Sequence, residues 1–144
     1  MTINQFMTAD HRDCDEQFAE LENIVDQANF EGAKAMFEEF HTHMLKHFDM
    51  EEQVMFPQYQ NCEGGHCDPT PVMLMEHNQM RAIFTQMSDA INANDKEKFL
   101  GQSEALLFTM QQHNMKEEMM LYPMAEQRIP AQSELVSSLQ QHCD

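Results

Sequence analysis

Two stretches of this chain repeat one pattern of apolar residues, histidines and glutamates at a constant offset of 66 residues. Met7, His11, Cys14, Phe18, Leu21 and Val25 match Met73, His77, Met80, Phe84, Met87 and Ile91. Met44, His47, Glu51, Glu52, Phe56 and Pro57 match Met110, His113, Glu117, Glu118, Tyr122 and Pro123. The alternating four- and three-residue spacing is that of a helix face turned to a core. Such a repeat predicts two helix pairs related by a pseudo-two-fold axis, with matched polar residues of both halves meeting inside.

Breaks at residues 29–32, 61–71 and 92–95 and at Pro130 divide the chain into helices expected over 8–28, 32–60, 71–93, 96–127 and 131–141. Sparse glycine and β-branched residues and abundant Met, Leu, Gln, Glu and Ala favour helix throughout. Short connections between neighbours predict an all-α, antiparallel, up-down-up-down four-helix bundle with a short C-terminal fifth helix. The length suits a single domain over 1–144, with repeat halves at about 8–60 and 71–127 and a tail at 130–144. Leu135, Val136 and Leu139 give that tail an apolar stripe, which would dock on the bundle flank or on another subunit.

The acidic balance removes whole classes of partner. With 25 acids against 8 bases, the formal charge of −17 repels nucleic acid and acidic lipid alike. No apolar run approaches the roughly 20 residues that cross a bilayer, and residues 1–10 lack the features of a secretory signal. A cytoplasmic location is expected. Four scattered cysteines do not form a disulfide framework, so reduced thiols are expected.

In both His47-x-x-x-Glu51 and His113-x-x-x-Glu117, the four-residue step stacks an imidazole and a carboxylate on one helix face. The stripe of the second helix, Phe37, Phe40, Met44, His47, Glu51 and Val54, turns that face to the core. An ionised carboxylate is tolerated there only if it is paired, hydrogen-bonded or metal-bound. Few lysines or arginines are available, so four histidines and two glutamates point to metal. His11, His47, Glu51, His77, His113 and Glu117 are the expected ligands. They suit two ions, each with two histidines and with the glutamates bridging, as in di-iron and di-manganese carboxylate bundles. Imidazole also accepts zinc, copper and nickel.

These residues resemble the hemerythrin-like, or HHE cation-binding, domains over nearly the whole chain, from Asp10-His11 to Glu126. The resemblance rests on Asp10-His11, on His47-x-x-x-Glu51-Glu52 ending in Phe56-Pro57, on Pro71-Val72-Met73 leading to Glu76-His77, and on His113-x-x-x-Glu117-Glu118 ending in Tyr122-Pro123. It implies two iron ions with an oxo or hydroxo bridge, manganese or zinc being less expected, that meet nitric oxide, dioxygen or hydrogen peroxide. The oxygen-carrying branch places a further histidine one turn before the position of His77, where this chain has Met73. The ligand set is more similar to the iron-centre repair branch, linked to nitrosative and oxidative stress, whose members usually carry an extra cysteine-bearing N-terminal domain that is not expected within these 144 residues. The expected function is therefore reaction with small diatomic or peroxide ligands, as a di-iron oxidoreductase if the protein is an enzyme. Reversible dioxygen carriage or sensing, and iron donation to iron–sulfur clusters, are the alternatives. The electron donor is not legible.

Other residues read more blandly. Glu52 and Glu118 rotate off the ligand face and read as solvated acids. His43, with Thr109 at its repeat position, reads as an outer partner of the site or a surface residue. His41, His66 and His142 read as solvent-facing, and Cys14 as a small buried apolar residue; Tyr122 reads either as a hydrogen-bond donor near the site or, as its counterpart Phe56 argues, as packing. Met44, Met73, Met80, Met87 and Met110 read as core filler. Cys62 and Cys67 share the crossover loop with spacing atypical of zinc sites.

Overall fold

A computed structural model describes residues 1–61, 68–130 and 132–143. Cys62, His66 and Cys67 lie outside the described residues. The described chain is built of helices: α1 (Ile3–Asp26), α2 (Phe30–Asp49), a π-helical turn (Met50–Met55), α3 (Phe56–Asn61), α4 (Thr70–Asn92), α5 (Lys96–Lys116), a second π-helical turn (Glu117–Leu121), α6 (Tyr122–Arg128) and α7 (Gln132–Cys143). Each π turn joins its flanking helices into one rod, so the elements form four long rods and a short fifth, as the breaks predict. α1 packs against α2 and α5, and α4 packs against the same two, which closes the four-rod bundle.

The first rod begins at Ile3, five residues before its expected start. Thr2 accepts from the Gln5 backbone while the Gln5 side chain accepts from the Thr2 backbone, a reciprocal cap that fixes the helix end. The extra turn buries Ile3 beneath Met7 on the same stripe.

The repeat extends into the turns. Ala28 and Asn94, 66 residues apart, both take positive φ, at 58° and 52°. In each case that residue bonds the carbonyl three residues back and the next one bonds the carbonyl five back (Ala28 to Val25 and Asn29 to Ile24, Asn94 to Ile91 and Asp95 to Ala90). Asn29 and Asp95 then cap the following helices through Gly32 and Lys98. Both halves reverse direction by one device.

The π turns repeat as well. Pro57 and Pro123 have no N–H, and within a regular α-helix their rings would strike the carbonyl four residues back. The chain answers by widening one turn, so that Phe56 N–H bonds Glu51 and Tyr122 N–H bonds Glu117, five residues back. Helicity thus survives the prolines, and a wide turn starts within one residue of each expected glutamate ligand.

The core is divided. One apolar cluster contains Phe18, Phe37, Phe40, Phe48, Phe84, Phe99 and the expected methionines Met44, Met80, Met87 and Met110. The other contains Ile3, Met7, Met50, Phe56, Met73 and Tyr122 together with Leu135, Val136 and Leu139. The α7 stripe therefore docks on its own bundle, against α1, α2 and the first π turn. Between the clusters along each long rod lies the layer of His11, His47, Glu51, His77, His113 and Glu117.

Candidate metal centre

All six side chains are between 0 and 4 % exposed. Their inward atoms crowd together: His11 Nε2 lies 3.1 Å from His47 Nε2 and 3.1 Å from Glu117 Oε1, and His77 Nε2 lies 3.1 Å from Glu51 Oε1. His113 Nε2 is 3.2 Å from Glu117 Oε1, and His47 Nε2 is 3.6 Å from Glu51 Oε1. Two overlapping sets form, Glu51–His77–His113–Glu117 and His11–His47–Glu117, each with one potential ligand atom per residue within 4.8 Å of the others.

A layer of four outer carboxylates fixes the imidazoles. Asp10 accepts from His47 Nδ1 at 2.7 Å and Glu76 from His113 Nδ1 at 2.9 Å. Glu52 accepts from His77 Nδ1 at 2.6 Å and Glu118 from His11 Nδ1 at 2.7 Å. Every Nδ1 is thereby committed, and every Nε2 faces inward with a lone pair for a proton or a cation. Asp10 and Glu76 are 66 residues apart, as are Glu52 and Glu118. The reading of Glu52 and Glu118 as solvated acids is thus corrected: the wide π turn swings each to a histidine of the opposite half. Acid matching acid at the repeat offset was the available signal.

Tyr122 fills both of the roles weighed for it. Its ring packs in the core, but its hydroxyl lies 2.9 Å from Glu51 Oε2, 3.0 Å from Glu117 Oε1 and 3.1 Å from His11 Nε2. It can donate its one proton to either glutamate. The counterpart Phe56 presents only its ring, stacked 5.9 Å from that of His77.

The donor set fits a divalent or trivalent metal. Among the described residues, six carboxylates, those of Asp10, Glu51, Glu52, Glu76, Glu117 and Glu118, face two permanent cations, Arg81 on Glu52 and Lys116 on Glu76. Four negative charges are left over, which two divalent ions balance. Buried His113 Nε2 and Glu117 Oε2 have no hydrogen-bond partner among the described residues, an arrangement that costs about 1–3 kcal/mol per atom unless a ligand is present. Both point to coordination.

Without metal, protons take that role. Burial works against the His11 and His77 imidazolium forms, yet hydrogen bonds to Glu117 and Glu118, and to Glu51 and Glu52, outweigh it and lift them to about 10 and about 9. His113 is also raised, burial being outweighed chiefly by the Glu117 charge. Glu51 is raised by burial and by the neighbouring Glu117, whereas Glu117 is held low, against burial, by His113 and by hydrogen bonds from Glu51 and His11. A folded pKa raised above its unfolded value stabilises fully below the unfolded value and loses that contribution as pH rises through the folded one. Metal-free protein is therefore expected to lose thermal stability as pH climbs from 6.5 through about 9 and about 10. Metal-loaded protein, with Nε2 deprotonated throughout, should lose far less. Melting curves of chelated and loaded protein over this range test it, and a pH-independent melting temperature for the chelated form contradicts it.

The remaining residues fall outside this layer. His43 donates to Asp10 at 2.7 Å and approaches Gln17 Oε1 at 2.8 Å, as an outer partner of the site. Cys14 is buried and free, its thiol pushed up by burial and nearby aspartates. Asp10, Cys14 and His43 approach one another, but the hydrogen bonds of Asp10 and His43 already satisfy that trio. His142 is exposed, as expected; His41 instead is half-buried against the rings of Phe37 and Phe84.

No described helix is long and apolar enough to cross a membrane. No curated protein and no solved structure matches the chain significantly. The hemerythrin HHE cation binding domain matches residues 2–143. A match over nearly the whole length, on a bundle whose core is interrupted by this layer of histidines and glutamates, places the chain in the hemerythrin HHE cation-binding family.

Proposed function

We propose that His11, His47, Glu51, His77, His113 and Glu117 hold two iron ions, and that the protein reacts with nitric oxide, dioxygen or peroxide under nitrosative or oxidative stress. The observation that carries this reading is the buried layer of four Nε2 atoms and two glutamates whose outer sides are all committed to carboxylates. Such a pair of ions would supply one-electron changes at each ion and a position for a small ligand. The chain's own residues orient the imidazoles through Asp10, Glu52, Glu76 and Glu118, exclude bulk water, and hold a proton on Tyr122 beside Glu51 and Glu117. Burial and the two glutamate charges push the Tyr122 hydroxyl well above its ordinary range, so it stays an O–H donor.

Met73 favours redox chemistry over oxygen carriage. It is buried in the apolar cluster with Ile3 and Met7, so the position of the carrier branch's extra histidine supplies packing and leaves two histidines per ion. Placement beside the iron-centre repair branch is part of the same proposal. Metal analysis and absorption spectroscopy of purified protein should give two irons per chain, and reduced protein should consume nitric oxide or peroxide beyond its iron content when supplied with reductant. Reoxidation that stops at the iron content would eliminate turnover. Stable, reversible oxygenation would favour the carrier reading instead, and iron transfer to an apo cluster protein would favour donation.

A further inference from the structure

The repeat makes the inner ligands of the two halves alike, but the charges behind them differ. On the His77 side, Glu52 Oε2 accepts from His77 Nδ1 at 2.6 Å and from Arg81 Nη2 at 2.7 Å, so one oxygen serves both. On the His113 side, Glu76 accepts from His113 through Oε1 and from Lys116 through Oε2. Both outer carboxylates of this half are neutralised by permanent cations. In the other half, Glu118 accepts from His11 at 2.7 Å, and no lysine or arginine among the described residues pairs with it. Asp10 accepts from His47 and, among the described residues, otherwise meets only His43, an imidazole that Asp10 draws toward its charged form but that can shed its proton, unlike Arg81 or Lys116. The positions related by the repeat are inverted or emptied of charge: Asp15 stands opposite Arg81, and buried Met50 opposite Lys116. Exposed Arg12 and Lys46 are the basic residues nearest in sequence to His11 and His47, and neither pairs with Asp10 or Glu118.

A carboxylate bonded to Nδ1–H makes the opposite nitrogen a stronger donor to a metal. A cation on the same carboxylate withdraws that donation and adds direct repulsion, which falls slowly with distance in a buried site. The geometry points to two inequivalent half-sites: the first metal ion to bind settles on His11 and His47, and the second on His77 and His113. Arg81 and Lys116 are positioning residues that set this order through Glu52 and Glu76. The stepwise dissociation constants then differ by about tenfold, Arg81 and Lys116 being partly exposed and acting through a dielectric between those of water and of a protein interior.

This inference rests on the two-ion reading, and one titration separates them. Metal-free, nitrogen-15-labelled full chain is titrated with zinc chloride at neutral pH while the histidine ring nitrogens are followed by NMR. Saturation at two zinc ions per chain supports the two-ion reading; saturation at one overturns it and this inference together. With two bound, the Nε2 resonances of His11 and His47 should shift during the first equivalent and those of His77 and His113 during the second. Simultaneous shifts of all four, or His77 and His113 first, overturn the order while leaving the two-ion reading intact. R81Q/K116Q should merge the two steps, and R81K should keep them apart because it preserves the charge. Should the double variant fail to fold, K116Q alone, at a half-exposed position, should narrow the separation. An unchanged separation in a folded K116Q chain would overturn the role of these cations.

Discussion

Replacing Glu51 and Glu117 together by glutamine is expected to abolish uptake of two metal ions while leaving the metal-free protein about as stable as before. The two halves of that expectation come from one geometry. With metal, these are the only carboxylates inside the ring of Nε2 groups among the described residues, and both ligand sets depend on Glu117. A ligand that binds only the folded state adds about 4 kcal/mol at a thousandfold excess over its dissociation constant, so the parent should gain several kcal/mol on loading and the variant almost none. Without metal, both carboxylates are fully buried, and their desolvation already offsets much of what their imidazolium partners return. Glutamine keeps the shape and a hydrogen-bonding oxygen, and the histidines can shed their protons, so the change should stay within about 1 kcal/mol. Melting curves with and without iron, alongside metal analysis, test both halves. A variant that still carries two irons would remove Glu51 and Glu117 from the centre. A metal-free variant that unfolds would make them structural first and ligands second.

What could be read from the sequence was the repeat and everything the repeat fixed. The bundle, the split into halves and the convergence of His11, His47, Glu51, His77, His113 and Glu117 all follow from apolar stripes on which polar residues occupy core positions. The outer shell was harder to read because its geometry depends on a departure from the regular helix. On an ideal α-helix Glu52 and Glu118 point away from the site; the π turns that accommodate Pro57 and Pro123 redirect them. The role of Tyr122 stayed open for a related reason. Its counterpart Phe56 shares its packing, and only the position of the hydroxyl against Glu51, Glu117 and His11 separates the two. Helix spacing also says nothing about which cation lies behind each carboxylate: the repeat makes the histidines and glutamates of the two halves alike, but it places Asp15 and Met50 where Arg81 and Lys116 stand. The start at Ile3 was legible in principle, since Thr2 and Gln5 have the spacing of a reciprocal cap.

Phe48→Ala should damage fold and centre at once, because Phe48 is where the apolar cluster of Phe18, Phe40 and Phe84 meets the ligand layer. Its buried ring stacks on His77 at 4.1 Å and 17°, packs near Phe84 at 6.2 Å, and has the Arg81 guanidinium 5.2 Å from its centroid. Truncating a buried phenylalanine costs about 3–5 kcal/mol through lost burial and the cavity left behind, or about 10–20 °C in melting temperature for a chain of this size. The same cavity frees the His77 ring on the side that Phe48 covers and leaves Arg81 without its platform beside Glu52. Metal affinity should therefore fall by about 10–100-fold, the usual penalty for losing a group that orients a ligand. Phe48→Leu separates the two effects: it refills most of the volume and should recover most of the thermal stability, but it offers no flat face to His77 and should recover little of the affinity. If leucine restores both, the ring acts by bulk alone and His77 is held by Glu52 without help. Asn114, the repeat counterpart of Phe48, places no such wedge against His11, so loss of affinity in Phe48→Ala should fall on the His77 and His113 half and spare the other, which the order of histidine shifts in a zinc titration would reveal directly.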